Sequence, residues 1–340
     1  MQIQQKSQQM SGVKLNNGLV VRTTGSWYSV LLADDTIVQC RLRGNFRLHG
    51  NKQTNPIAVG DRVSFEFIED GTGFITAVAE RSNCIIRRAT KLSKQTHVIA
   101  ANIDWLCLVA TLGLPRTSTG FIDRLLVTAE AYHIPAVIIF NKCDLYDETL
   151  WQIHNEIKKI YEQVGYPVYE VSALKGTGID TVRRLIAGKV SLFCGHSGVG
   201  KSALLNALDP SLGLKVGKIS DWSQKGKHTT TFAEMFSVNT NGQSFQHPVV
   251  QAVEQERTFL IDTPGIKEFG IVDFTVEELS HFFPEMRQRL HGCHFADCTH
   301  RHEPGCAVKS AVEAGDISTE RYKNYLNIAE SIESDAPIRR

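Results

Sequence analysis

The chain has 340 residues, enough for two or three domains at roughly 100–200 residues each. Hydrophobic residues make up 42% and charged residues 21%, a balance that excludes a disordered or fibrous chain and fits a globular one. The net charge of +1 excludes a polycation, but residues 1–94 hold 13 Lys/Arg against 7 Asp/Glu, so a front of +6 precedes a remainder of −5. A basic front domain suits contact with an anionic partner, most often nucleic acid.

Residues 1–14 form a polar tail that opens "MQIQQKSQQMSG" and lacks the apolar stretch of a secretory signal. No apolar run approaches the roughly 18 residues that span a bilayer. Five of the eight cysteines are scattered singly, which is not a disulfide framework. A cytoplasmic protein without a membrane association is expected.

Residues 15–84 carry five short β-rich runs, "LVVRTT", "WYSVLLA", "TIVQCRLRG", "RVSFEFI" and "GFITAVAE", separated by Gly25-Ser26, Asp34-Asp35, Gly60-Asp61 and Gly71-Thr72-Gly73. Five strands in that length suit an OB-fold barrel. Arg41, Arg43 and Arg47 beside Phe46 mix cations with an aromatic ring, as an RNA-binding face does. Residues 85–99, containing "IIRRATKLSKQ", read as a basic linker.

From 100 to 275 strands and helices alternate. "IDWLCLVATL", "AVIIFNK", "PVYEVSA" and "KVSLFCG" read as strands, and "FIDRLLVTAEAYH", "LWQIHNEIKKIYEQV" and "GIDTVRRLIAG" as helices. This alternation predicts a parallel α/β sheet whose ligands bind beyond the strands' carboxyl ends. Residues 276–340 change pattern again, with a Cys/His cluster leading into the helical "STERYKNYLNIAESI".

Gly195-His196-Ser197-Gly198-Val199-Gly200-Lys201-Ser202 matches G-x-x-x-x-G-K-[ST] in full, between the strand "VSLFC" and the helix "KSALLNAL". That context makes it a P-loop. Its backbone N–H groups would cradle phosphate at a helix start, with Ala203 in the first turn. Lys201 would reach the β- and γ-phosphates, and the Ser202 hydroxyl would hold Mg²⁺.

"RTFLIDTPGI" ends in Asp262-Thr263-Pro264-Gly265, 60 residues after Ser202. Asp262 would serve Mg²⁺, and the Gly265 N–H would meet the γ-phosphate. Between them, "GKHTTTF" offers a threonine to Mg²⁺ when the γ-phosphate is present. Thr230 is the first choice, with Thr229 and Thr231 as alternatives.

Asn141-Lys142-Cys143-Asp144 follows the strand "AVIIF". Asp144 would accept from guanine N1–H and N2–H₂, donors that adenine lacks, so ATP would leave a buried carboxylate unpaired. Asn141 braces the loop, and the Lys142 stem covers the base. A backbone N–H of Ser172-Ala173 would meet guanine O6. GTP is therefore expected over ATP.

The order along the chain is base reader, Ser-Ala loop, cradle, threonine loop and Asp-Thr-Pro-Gly. GTPases usually run cradle first, so this is a circular permutation. The segment beyond Gly265 leads into the C-terminal cluster, so nucleotide state is expected to move that module relative to the barrel.

Cys293, Cys298, His300 and Cys306 supply three thiolates and an imidazole within 14 residues, which suits a closed, structural Zn²⁺ site. His302 competes for the nitrogen position, then His291 and His294. Ile266 stands where many GTPases place a water-orienting Gln, so slow intrinsic turnover is expected. His228 is the local candidate to orient or polarise the water, against the alternative of a loop His with no role.

These residues resemble the ribosome small-subunit-dependent GTPase A family of bacteria. The resemblance rests on the barrel, the permuted order, "GHSGVGKS", "KHTTT", "DTPG" and the cluster ending "CTHRHEPGC", and it covers nearly the whole chain. It implies an OB-fold, a permuted P-loop GTPase domain and a C-terminal helical zinc domain. It further implies late maturation of the 30S ribosomal subunit, with 16S rRNA as a partner and GTP hydrolysis to GDP stimulated by the subunit. A monomer is expected. Lys201, Thr230 and His228 would serve catalysis, and the zinc pattern falls on Cys293, Cys298, His300 and Cys306. The rival readings are an RNA-binding assembly factor using GTP only as a conformational ligand, and a GTP-dependent zinc chaperone.

Overall fold

A computed structural model describes residues 15–43, 56–88, 96–216, 233–238, 257–262 and 274–335. The first five strands are β1 (Asn16–Thr24), β2 (Trp27–Leu31), β3 (Ile37–Leu42), β4 (Arg62–Phe67) and β5 (Gly73–Val78). They pair in the ring β1-β2-β3-β5-β4, and β4 returns to β1. All these pairings are antiparallel except β3 with β5. A closed five-stranded ring of this kind is the OB barrel that the turn spacing predicts.

The register of β1 shifts between Val20 and Arg22. A bulge of this kind breaks strand alternation, and here both neighbours are buried. Val20 packs inside the barrel with Tyr28, Phe65 and Ile75. Val21 packs the other way, among residues of the central sheet.

Residues 85–99 do more than link. β6 (Cys84–Arg88) pairs antiparallel with β7 (Thr96–Ala101), and Ile85 and Ala100 are buried in the core beside the central sheet. Positions 89–95 lie outside the described residues.

The central domain runs β8 (Trp105–Ala110), α1 (Thr119–Ala131), β9 (Ala136–Phe140), α2 (Glu148–Gln163), β10 (Val168–Glu170), α3 (Ile179–Ile186), β11 (Val190–Cys194), α4 (Lys201–Leu208), β12 (Glu234–Val238) and β13 (Thr258–Asp262). The sheet order is β10-β9-β8-β11-β13-β12. It is parallel throughout except for β12. Central parallel strands are covered on both faces and therefore read as unbroken apolar runs. In β8, Leu106 and Leu108 face one core while Cys107 and Val109 face the other.

β12 also pairs antiparallel with β1 at Arg22 and Glu234, so barrel and central sheet form one 11-stranded sheet. The barrel thereby covers an edge that would otherwise expose unpaired backbone groups. Arg257, one residue before β13, pairs with Asp35 at 2.9 Å and donates to the Ala33 carbonyl at 2.6 Å.

The C-terminal module holds α5 (Val276–Leu279), α6 (Pro284–Arg287), α7 (Ala307–Glu313) and α8 (Thr319–Asp335). Its core, with Leu279, Phe283, Val308 and Tyr325, includes Val127 of α1. The module is therefore seated on the central domain. Among the described residues, no helix is long and apolar enough to cross a membrane.

Candidate functional site

The sequence motifs sit where strand ends meet loops. β8, β9 and β11 run parallel, with Cys194 of β11 in register with Leu108 of β8, and Ala110 of β8 with Phe140 of β9. This brings the loop after Phe140 beside the loop after Cys194, although 54 residues separate those two strand ends. Parallel neighbours deliver their carboxyl ends to one side, where α/β sheets bind ligands.

The two loops are bonded to each other. Asn141 Nδ2 donates to the Val199 carbonyl at 2.9 Å, and Lys142 Nζ donates to the Gly198 carbonyl at 2.8 Å and the Leu114 carbonyl at 2.9 Å. Lys142 adopts a left-handed backbone conformation, φ 65°, uncommon for a residue with a side chain. Burial pushes its ammonium pKa down, and Asp144 pulls it partly back. The cradle also requires its glycines. A Cβ on Gly200 would lie 2.5 Å from Asn141 Nδ2, and one on Gly195 would collide with the Val109 carbonyl. Ser197 and Gly198 are exposed, Val199 is buried beneath them, and Lys201, Ser202 and Ala203 begin α4.

The Ser172 hydroxyl donates to Asp144 Oδ1 at 2.5 Å and accepts the Lys175 N–H at 3.0 Å. It orients the carboxylate through Oδ1. The Ala173 N–H, the candidate for guanine O6, donates to Asn141 Oδ1 at 3.1 Å. To meet a base it must turn from Asn141 or be shared. Cys143 is buried under the loop in a 3-10 turn at Cys143–Leu145, and burial raises its thiol pKa. Its side chain therefore packs the loop from below.

At the far end, Lys201 Nζ lies 2.9 Å from Asp262 Oδ1. Among the described residues that buried oxygen has no well-aligned hydrogen-bond donor, which suits a carboxylate placed for a cation. Ser202 and Asp262 thus fit a Mg²⁺ site as far as the described residues reach. His228, Thr229, Thr230, Thr231, Gly265 and Ile266 lie outside the described residues, as do Phe46 and Arg47.

In the C-terminal module the donor atoms of Cys293, Cys298, His300 and Cys306 all lie within 4.8 Å of one another. His300 presents Nδ1, 3.3 Å from Cys306 Sγ and 3.6 Å from Cys293 Sγ. His302, His291 and His294 are exposed and outside this group. Burial raises the Cys298 thiol pKa to about 12, with the neighbouring thiols adding to the effect. A thiol so placed ionises only beside a cation. The donor set fits a metal ion with four protein ligands. Cys306 Sγ also accepts the Lys309 N–H at 3.4 Å, so it caps α7 as well.

On the barrel, the Arg41 guanidinium stacks 3.7 Å over the Trp27 ring, and Arg43 pairs with Glu66 at 3.3 Å. One of the predicted cations is thus laid flat on an aromatic surface, and another is partly neutralised.

Sequence reasoning missed a buried ion cluster between α1 and α8. Arg321 is 2% exposed, Asp123 0% and Glu285 5%. Arg321 donates to Asp123 Oδ1 at 2.6 Å and to both Glu285 oxygens at 2.7 and 2.9 Å, and Asn324 donates to Asp123 Oδ2 at 2.6 Å. A polar Asp inside an otherwise apolar helix face was the available signal.

An OB barrel continuous with a permuted P-loop sheet, a guanine-type loop bonded to the phosphate-type loop and an appended Cys₃His module define a circularly permuted GTPase. The family model described as RsgA GTPase matches residues 78–272, and the one described as RsgA N-terminal domain matches 17–75. The small ribosomal subunit biogenesis GTPase RsgA 2 of Bacteroides thetaiotaomicron is 48% identical, over 93% of this chain and 97% of its own. The RsgA of Christiangramia forsetii is 46% identical, over 94% and 97%. The crystal structure of YjeQ from Thermotoga maritima superposes with a TM-score of 0.74 at 35% identity, covering 96% of this chain and 100% of that one. YloQ, a circularly permuted GTPase, gives 0.69 at 29%, covering 97% and 99%. The chain belongs to the RsgA GTPase family.

Proposed function

We propose that this GTPase binds the 30S ribosomal subunit in the cytoplasm, acts as a monomer in the subunit's late maturation, and is stimulated by it to hydrolyse GTP to GDP and phosphate. The observation that carries the nucleotide assignment is the bonding of Asn141 and Lys142 to the Val199 and Gly198 carbonyls. It holds a guanine reader and a phosphate cradle at one fixed separation, as a single nucleotide requires.

In this reading Asp144, oriented by Ser172, accepts the guanine N1–H and N2–H₂. Lys142 covers the base with its stem. The N–H groups of the loop from Gly195 to Ser202 surround the phosphates, and Lys201 leaves Asp262 to reach the β- and γ-oxygens. Ser202, Asp262 and Thr230 would hold Mg²⁺, which when bound offsets the charge of those oxygens. Gly265 donates to the γ-phosphate, and His228 orients the attacking water. Cys293, Cys298, His300 and Cys306 hold structural Zn²⁺. The barrel face with Arg41 and Trp27 meets 16S rRNA.

The test is GTP turnover by the full chain with and without purified 30S subunits, with 50S subunits as control. Stimulation by 30S alone is expected. Equal rates in all three conditions would remove the subunit from the reading.

A further inference from the structure

The cradle is held on two flanks. The guanine loop grips one through Asn141 and Lys142, as described. The other is held by α1, where Phe121 stacks on His196 with ring centroids 3.6 Å apart and planes inclined by 27°. His196 is the second residue of the cradle, and its carbonyl accepts the Val199 N–H at 3.4 Å, closing the loop's first turn. Fixing this ring therefore fixes the carbonyl about which the loop folds. A loop whose N–H groups must converge on phosphate depends on such outward-turned carbonyls.

Phe121 is itself fixed. The Ser118 hydroxyl accepts the Phe121 N–H at 3.2 Å and caps α1. The same first turn is gripped by α8. Thr119 Oγ1 donates to Glu320 Oε1 at 2.7 Å, and Asp123 takes the Arg321 pair at 2.6 Å. The stack and both α8 contacts thus fall within five consecutive residues of one helix.

We propose that Phe121 is a positioning residue for the phosphate cradle, tying the stance of His196 to the seat of the C-terminal helix α8 on α1. The inference rests on the cradle taking phosphates, as proposed above. It makes the C-terminal module a contributor to nucleotide affinity with no residue of its own at the nucleotide. It also makes the cradle and that module one body.

The test compares equilibrium affinities of the full chain for GDP and GMP, which share guanine and differ by one phosphate. Phe121→Ala is expected to weaken GDP about three- to tenfold, the scale of one aromatic pair, and to leave GMP nearly unchanged. Phe121→Tyr, which keeps the ring, is expected to restore GDP binding. Phe121→Leu, which keeps apolar bulk without the ring, carries the test if the alanine variant does not fold. Glu320→Ala is expected to weaken GDP about twofold in the native background and not at all in Phe121→Ala. An unchanged GDP-to-GMP ratio in a Phe121 variant of native melting temperature overturns the role of the stack. Additive effects in the cycle overturn the link to α8. Native protein that binds GDP no tighter than GMP would instead refute the cradle reading, and the inference with it.

Discussion

Lys201 Nζ and Asp262 Oδ1 lie 2.9 Å apart, so the lysine expected to reach phosphate is paired with the carboxylate expected to serve Mg²⁺. The pair joins the start of α4 to the end of β13 and neutralises two charges that would otherwise face each other unbonded. In the proposed nucleotide complex Lys201 would exchange Asp262 for phosphate oxygens and Asp262 would exchange Lys201 for Mg²⁺, each a charge-assisted partner.

Asp262→Asn separates these roles. Lys201 loses its anionic partner, so GDP affinity measured in EDTA should hold or rise. The further affinity that Mg²⁺ confers on GTP should fall about tenfold or more, the scale of one charged contact. Titration with and without Mg²⁺ checks both halves. A variant that keeps its full Mg²⁺ dependence would move the cation away from β13.

Asp144 is the second prediction. Two charge-assisted hydrogen bonds to guanine are each worth about 1.5–3 kcal/mol. Asp144→Ala should therefore lose about a hundredfold or more in GTP affinity while barely affecting the melting temperature, since the side chain is exposed. Ser172→Ala should lose less, because it removes only the hydroxyl that holds the carboxylate at 2.5 Å. Equal GTP affinity in the Asp144→Ala protein would end the assignment of the base.

The buried cluster at Arg321 gives the third. Burial raises the Asp123 pKa, against the pull of Arg321 and Asn324, so this carboxylate is stable as an anion only with its partners in place. Removing one partner of a buried pair costs about 3–5 kcal/mol. Arg321→Met leaves two buried carboxylates unopposed. Asp123→Asn leaves Arg321 paired with Glu285 and keeps the shape. Arg321→Met should therefore be the more destabilising, and proteolysis should release residues 274–335 from α1 first in that variant. Thermal melts and limited proteolysis compare the two. The reverse order would mean that Glu285 does not balance the guanidinium.

Acid offers a fourth. Desolvation raises the Glu303 pKa, but hydrogen bonds from the Thr299 hydroxyl and from backbone N–H groups, including those of Thr299 and Arg301, outweigh it and hold the carboxyl at about 2. Its folded pKa lies below the ordinary value of about 4.3. The stability it gives is therefore present above that value and lost as pH falls towards 2. In EDTA, Glu303→Gln should flatten the fall in stability of the C-terminal module over that window. An unchanged acid profile would place the loss elsewhere.

Much of this protein could be read directly from the residue order. Five barrel strands, alternating strands and helices, the P-loop, Asn141–Asp144 and the Cys₃His spacing all announce themselves, because each depends on local periodicity or on a short motif whose chemistry needs contiguous residues. The permutation is equally plain, since motif order is a property of the chain alone.

What tertiary structure alone decided is who touches whom across long separations. Nothing in "EMFSV" says that Glu234 pairs with Arg22 and fuses two domains into one sheet. The segments on either side of 89–95 pair as strands because Ile85 and Ala100 have a core to enter. Arg321 looks like any surface arginine of an amphipathic helix until Asp123, 198 residues earlier, closes over it. Phe121 and His196 are each unremarkable alone, and only the packing of α1 beside the cradle makes them a stacked pair. Local sequence sets backbone preference and motif chemistry. Pairings between distant segments are set by which apolar faces can be buried together, a property of the whole chain at once.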